Sequence, residues 1–371
     1  MKIKSLLLGS AAASMLAVSG AQAADPIIYA EPETMEYVRI CDVYGAGFFY
    51  IPGTETCMRI SGFARYQMGW NSLSTPGNNG WFKYARGRLN FDVRSETEWG
   101  TLRGFVRLET NSGQAINDSG VTAMPWMFIS MSTAQGELLA GYLESAWVWS
   151  GPLGNYGPTQ SDTGAFSYGF QRRSQIRYTF TAPEGFFGVL SLEDNNGRVI
   201  NGVAQNRQYM PDVVGKLGIS QAWGGAYGAF GYDAVDESWT ARVGGQINVP
   251  AAPGSSLRGE FYWANSRNNV YAPQMVYAAA PAAGGFSNGA RWSAAVGYQH
   301  RFNPQFAAQV GYQYLSGFGA GNPHHHYVDG SLIWTPVQDL EIRTEVRYGN
   351  ASQAGVRTDD WGGFLRFQRN F

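Results

Sequence analysis

Lysine is nearly missing from this chain. Apart from Lys2 and Lys4 at its start, only Lys83 and Lys216 are lysines; the rest of the 27 basic residues are arginines. Arginine is a fixed, rigid cation that holds its place in a crowded field better than lysine does. Charge of either sign is scarce, at 15% of residues against an ordinary ~25%. The two signs almost cancel, at a net −1, so the basic footprint of a nucleic-acid-binding protein is absent. Four histidines leave little material for acid–base chemistry near neutral pH. No run of about 18 apolar residues occurs, which excludes a membrane-spanning helix. Cysteine is limited to Cys41 and Cys57.

Glycine and aromatics are abundant, with 48 glycines in 371 residues and 15% Phe, Trp and Tyr. That mixture suits a barrel whose outer wall meets lipid and whose aromatics form girdles at the two interfaces. The front of the chain predicts export. Lys2 and Lys4 precede an apolar stretch, Leu6 to Val18, followed by the small-x-small site Ala21-Gln-Ala23. This order of charge, apolar run and cleavage site predicts a signal peptide over 1–23 and a mature chain from Ala24. Its removal takes two positive charges with it. In an oxidising compartment Cys41 and Cys57 are expected to pair, with two free buried thiols as the alternative.

Period-two alternation predicts an all-β chain of sixteen strands, near 58–70, 81–98, 101–111, 124–133, 137–144, 172–182, 185–194, 212–221, 224–233, 237–249, 256–265, 289–301, 305–315, 326–335, 339–349 and 360–371. The second is the clearest: Gly87, Leu89, Phe91 and Val93 interleave with Arg86, Arg88, Asn90, Asp92 and Arg94. Long links are expected at 71–80, 112–123, 145–171, 195–211, 266–288, 316–325 and 350–359, alternating with short turns such as Pro183-Glu184 and Asn303-Pro304. Only 234–236 is short where a long loop is due. Short turns at one rim and long loops at the other mark a transmembrane antiparallel barrel. Ten residues rise ~33 Å along a strand, and a ~45° tilt leaves ~23 Å, close to the ~25 Å apolar band. Sandwiches and propellers share the period, but no repeat of ~40–50 residues is found, and both chain ends favour export and a membrane.

The ending Trp361-Gly-Gly-Phe-Leu-Arg-Phe-Gln-Arg-Asn-Phe371 resembles the C-terminal assembly signal of outer-membrane barrels, although Arg369 departs from the usual apolar residue there. Together with Tyr37-Val-Arg-Ile-Cys41-Asp-Val-Tyr-Gly-Ala-Gly-Phe-Phe-Tyr-Ile-Pro-Gly-Thr-Glu-Thr-Cys57 and Tyr209-Met-Pro-Asp-Val-Val-Gly215, it resembles the general porins of alpha-proteobacteria. The resemblance implies an outer-membrane barrel of sixteen strands over 58–371, preceded by a periplasmic-side segment, 24–57. It implies a homotrimer, contact with outer-membrane lipid and the barrel assembly machinery, and passive diffusion of small hydrophilic solutes and ions. It also implies a third loop, 145–171, folded into the lumen as a constriction.

In many such proteins that loop is acidic. Here it offers Asp162, with Glu144 at its edge, and is rich in aromatics, among them Trp147, Trp149 and Phe166. Alternation points Arg59, Arg65, Arg86, Arg88, Arg94, Arg103 and Arg107 inward from the first three strands, with Asp92, Glu96, Glu98 and Glu109 among them. Arg343, Arg347 and Arg366 join from near the seam. Low-dielectric walls focus the field of such rings, which is how a pore selects among ions. Each arginine alone reads equally as an ion-paired residue that keeps the wall wet.

Enzymatic signals are weak. Gly285-Phe-Ser287-Asn-Gly289 fits a nucleophile pattern but no helix is expected after it. His324, His325 and His326 are adjacent, and neighbours on a strand point to opposite faces. No metal, cofactor or nucleic acid is expected. The readings left open are a diffusion channel, a structural or adhesin barrel without a conducting pore, and a barrel enzyme lacking an evident Ser/His/Asp set.

Overall fold

A computed structural model describes residues 39–72, 80–113, 121–148, 166–195, 198–200, 203–205, 209–276, 287–319, 321 and 323–371. By its contacts the chain divides into Met1–Tyr37 and Val38–Phe371, and every described strand belongs to the second unit. The expected signal peptide over 1–23 lies outside the described residues, as does the stretch from 24 to 38.

Alternating side chains with glycines at the turns fold into a closed, 16-stranded antiparallel barrel. The strands are β1 (Cys57–Asn71), β2 (Trp81–Thr97), β3 (Gly100–Ser112), β4 (Val121–Thr133), β5 (Gly136–Glu144), β6 (Arg172–Thr181), β7 (Phe186–Glu193) and β8 (Asp212–Gln221). They continue as β9 (Gly224–Asp233), β10 (Ser238–Asn248), β11 (Ser256–Ala264), β12 (Trp292–Arg301), β13 (Phe306–Ser316), β14 (His324–Val337), β15 (Leu340–Gln353) and β16 (Val356–Asn370). Each pairs with its successor, and β16 returns to β1 in a register running from Phe63 opposite Asn370 to Asn71 opposite Gly362. Closure removes the edge that an open sheet would expose. The final residue completes it: Gly62 N donates to Phe371 O at 2.8 Å, and Phe371 N donates to Gly62 O at 3.1 Å.

One rim carries tight turns, at Glu98–Trp99, Ala134–Gln135, Ala222–Trp223 and Gln338–Asp339. Gly100 sits there at φ 128, and a Cβ would lie 2.2 Å from Ser132 O, so only glycine fits. The opposite rim carries the long links. One expectation is corrected. The link expected over 350–359 is a turn at Ala354–Gly355, because β15 and β16 stay paired as far as Gln353 and Val356.

The distribution of side chains is the reverse of a soluble sandwich. Ile129, Leu217 and Leu332 point outward and are 63%, 66% and 65% exposed, while Asp92, Glu193, Thr240 and Gln313 are enclosed. A continuous apolar exterior of this extent needs lipid to cover it.

The segment before β1 is stapled to the tight-turn rim. Cys41 and Cys57 form a disulfide, with Cα atoms 6.1 Å apart, and pack with Phe48, Tyr44 and Tyr50. Such a cross-link contributes about 3 kcal/mol in the chain-entropy picture. Alkylating denatured, non-reduced protein is expected to find no thiol; two labelled cysteines would refute the bond. Tyr44 donates to Glu96 at 2.8 Å. Burial, aided by that bond, pushes the Tyr44 hydroxyl up to about 12, so the donor persists through neutral pH.

Candidate functional site

The lumen has two unlike walls. On the first, formed by β15, β16 and β1–β4, every arginine expected to point inward does so, because each lies in phase with the enclosed residues Arg65, Asp92, Glu109, Arg343 and Arg366. Asp92 is the hub of one cluster. It accepts Arg94 through Nε at 3.0 Å and Nη2 at 2.9 Å, and Arg103 through Nε at 2.8 Å and Nη2 at 3.0 Å. Arg59 adds a contact at 3.7 Å. Glu109 is the hub of the second, bound by Arg88 at 2.8 and 2.6 Å and by Arg86 at 3.4 Å.

These forked, charge-assisted bonds fix the guanidinium planes. They also sort the charges by depth. Asp92 is 1% exposed, whereas the side chains of Arg94 and Arg103 are each 25% exposed. In these two clusters the carboxylates therefore lie behind the guanidiniums, and the face the clusters present is positive.

Beside these clusters the arginines lie on rings. Arg107 donates to Asn90 at 2.8 Å and stands 3.8 Å from the Trp126 centroid, while Arg103 covers Phe105 and Phe128. Arg65 bonds Gln368 at 2.8 Å, and Arg366 bonds Gln67 at 2.8 Å. Arg343 meets Glu341 at 3.0 Å and Arg347 meets Asp360 at 3.5 Å. Across the seam Arg347 and Arg366 share a recess with Arg86 of the Glu109 cluster. Glu96 binds Tyr44 and Thr101, and Glu98 sits in a turn.

The second wall receives the third connection. Trp147 is fully buried in a cluster with Ala146, Val189, Val214, Tyr262 and Tyr271. Its polar fastening is extensive. Ala146 N donates to Glu193 Oε1 at 2.9 Å, and Lys216 Nζ donates to the carbonyls of Ala146 at 2.8 Å and Trp147 at 3.3 Å. Arg242 Nη1 donates to Trp147 O at 2.9 Å. The guanidinium also grips Glu260 at 2.6 Å, and both side chains are almost wholly enclosed. Tyr227 and Tyr262 donate to the same carboxylate.

The returning limb is fastened to β13. Ser167 N donates to Gln313 Oε1 at 2.8 Å, and Gln313 Nε2 donates back to Ser167 O at 2.7 Å. Trp147 Nε1 donates to Tyr168 O at 3.1 Å, joining the two limbs. Phe166 is 5% exposed beside them. A connection leaving β5 thus reaches β8, β10 and β13, which it can do only by folding inward. Trp149 and Asp162 lie outside the described residues.

Sequence reading missed Lys216, Arg242, Glu193 and Glu260 as a group. Their inward phase was available, since Lys216 alternates with outward Leu217 and Gly215, but nothing local announces a loop as partner. The remaining candidates lie apart from these walls' charge clusters. His325 points inward, buried; the rings of His324 and His326 lie 5.6 Å apart on the other face. Among the described residues no group of His, Cys, Asp and Glu is arranged to hold a metal. Ser287 begins a short strand, Ser287–Gly289, paired with Gln274–Val276, with no helix after it.

Known proteins share this fold. A family model described as "Porin subfamily" matches residues 25–364. Porin Omp2b of Brucella suis biovar 1 (strain 1330) is 38% identical over 398 residues, covering 100% of both chains. Porin Omp2b of Brucella abortus (strain 2308) is likewise 38% identical, over 397 residues and 100% of each chain. Among solved structures, the outer membrane channel DcaP of Acinetobacter baumannii superposes with a TM-score of 0.67 at 15% identity, over 87% of this chain and 99% of that one. Salmonella typhi OmpF, in complex with daunomycin, gives 0.64 at 13% identity, over 85% and 98%.

Proposed function

The chain belongs to the alpha-proteobacterial general porin family, and from that premise we propose that its two walls form a weakly anion-preferring pore. It is an outer-membrane porin, a water-filled channel for passive diffusion. The single observation that supports the preference is the depth order on the arginine wall, guanidiniums in front of Asp92 and Glu109. Glu341, 25% exposed beside Arg343, and Asp360 beside Arg347 offset part of that charge, so the preference is modest. In this reading Arg65, Arg88, Arg94, Arg103, Arg107, Arg343, Arg347 and Arg366 line the pore with Asp92 and Glu109. Trp147 and Phe166 anchor the two ends of the constriction loop; Trp149 and Asp162, also expected in it, lie outside the described residues.

The same family membership supports a homotrimer, a cleaved leader and assembly by the outer-membrane barrel machinery. Purified protein added to a planar bilayer tests pore and oligomer together. Current is expected to fall in three equal steps on closure, with a small anion-favouring reversal potential in a KCl gradient. A barrel that inserts without conducting would restore the structural or adhesin reading.

Phe371 supports the assembly role. Its ring is 57% exposed at the strand end, and its two backbone bonds to Gly62 are few among those that hold so large a sheet. Deleting Phe371 is therefore expected to lower the amount reaching the outer membrane several-fold while leaving the conductance of assembled pores intact. Normal membrane levels of the deletion variant would refute a signalling role.

A further inference from the structure

A recess in the arginine wall breaks the rule that this lumen is polar. It is lined by Phe82, Tyr84, Arg86, Arg347 and Phe364, among others. Phe82 is the anomaly: it faces the lumen and yet is 38% exposed. Its inward direction follows from Gly69, on the enclosed face of β1, where an added Cβ would lie 2.3 Å from Phe82 Cζ. Register explains the space. Gly69 stands opposite Phe82 on one side and opposite Phe364 on the other, so a residue without a side chain separates two rings.

Charge stands at the edges of the apolar patch. Tyr84 stacks near Phe82, with centroids 6.4 Å apart, and the Arg86 guanidinium lies 5.5 Å from the Tyr84 centroid. Arg347 reaches the recess from β15, its side chain 25% exposed. A channel that only kept its wall wet would gain nothing from a bare ring at this height. One exposed ring, Phe82, beside the half-buried Tyr84 and flanked by guanidiniums, matches a planar, apolar body carrying one anionic group. The ring of such a solute stacks on Phe82, and its carboxylate meets the fork of Arg86 or Arg347.

We propose that this recess is a subsite for small aromatic carboxylates on their way through the pore. The proposal rests on the diffusion reading above and names a solute class for it. Ring stacking contributes about 0.5–1.5 kcal/mol, which predicts roughly 2- to 12-fold tighter binding of benzoate than of acetate at equal charge.

Ion-current noise in a planar bilayer reads this directly, with benzoate, acetate, benzamide and glucuronate added in turn to KCl. Benzoate is expected to produce concentration-dependent interruptions, with acetate and benzamide each several-fold weaker. The benzoate-to-acetate ratio is expected to fall towards one in Phe82→Leu and, as a second variant, Tyr84→Leu; Arg86→Gln is expected to weaken both anions. Equal binding of benzoate and acetate by the unaltered protein would overturn the subsite. So would a ratio unchanged in both ring variants, or tighter binding of glucuronate than of benzoate, which would assign the recess to sugar acids. Absence of any KCl current would instead bring down the channel reading, so the two failures are distinct.

Discussion

Replacing Arg88, Arg94 and Arg103 together by glutamine is expected to turn the pore from weak anion preference to clear cation preference. The size of the effect comes from what these side chains cover. Arg94 and Arg103 hold both oxygens of Asp92, and Arg88 holds Glu109 through two bonds. Their removal subtracts three positive charges and uncovers two carboxylates that now sit behind them. Two unit charges 4 Å apart in water interact by about 1 kcal/mol, so the anion-to-cation permeability ratio should fall by roughly fivefold at low salt. The shift should shrink as salt rises, since screening sets in over ~10 Å at 0.1 M. Arg369→Gln is the control, because that arginine bonds Gln338 O and Asp339 at the rim, outside the lumen. A triple variant that folds, conducts and keeps its original reversal potential would show that this wall does not set selectivity.

That wall was legible in the sequence because a strand encodes the direction of each side chain. The period of two placed Arg86, Arg88, Asp92 and Arg94 on one face before any contact was known. It placed the strands too, even β4, β5 and β9, whose patterns are weak. Alternation fails where both faces of a strand are wet. Residues 350–359 hold Asn350, Ser352, Gln353, Arg357, Thr358 and Asp359, and a hairpin this polar has no apolar face to reveal it. The sequence could say still less about the fastening of the third loop. Lys216 and Ala146 are 70 residues apart, Gln313 and Ser167 146 apart, and carbonyl acceptors carry no residue identity. Only closure of the barrel brings them together.

Excising residues 149–165 and joining Val148 to Phe166 through a short Gly/Ser linker is expected to raise single-channel conductance by at least ~1.5-fold, because the loop and not the barrel sets the bore. The join is feasible because the two docked limbs already touch, Trp147 Nε1 bonding Tyr168 O at 3.1 Å. The anchor itself can be tested without a deletion. Lys216→Met removes the donor to the Ala146 and Trp147 carbonyls. Arg242→Met combined with Glu260→Gln removes the second donor without leaving a charge buried alone, an error that costs about 3–5 kcal/mol. The combined variant keeps the whole loop but cuts its basic ties, so open-channel noise should rise while the closed barrel survives, measured as retained heat resistance of the folded band on a gel. Higher mean conductance in the excised variant together with noisier current in the untied one would place the constriction on this loop. If the excised protein assembled and conducted like the original, the lumen would be limited by its walls, and the inward ends at Trp147 and Ser167 would be structural fastenings alone.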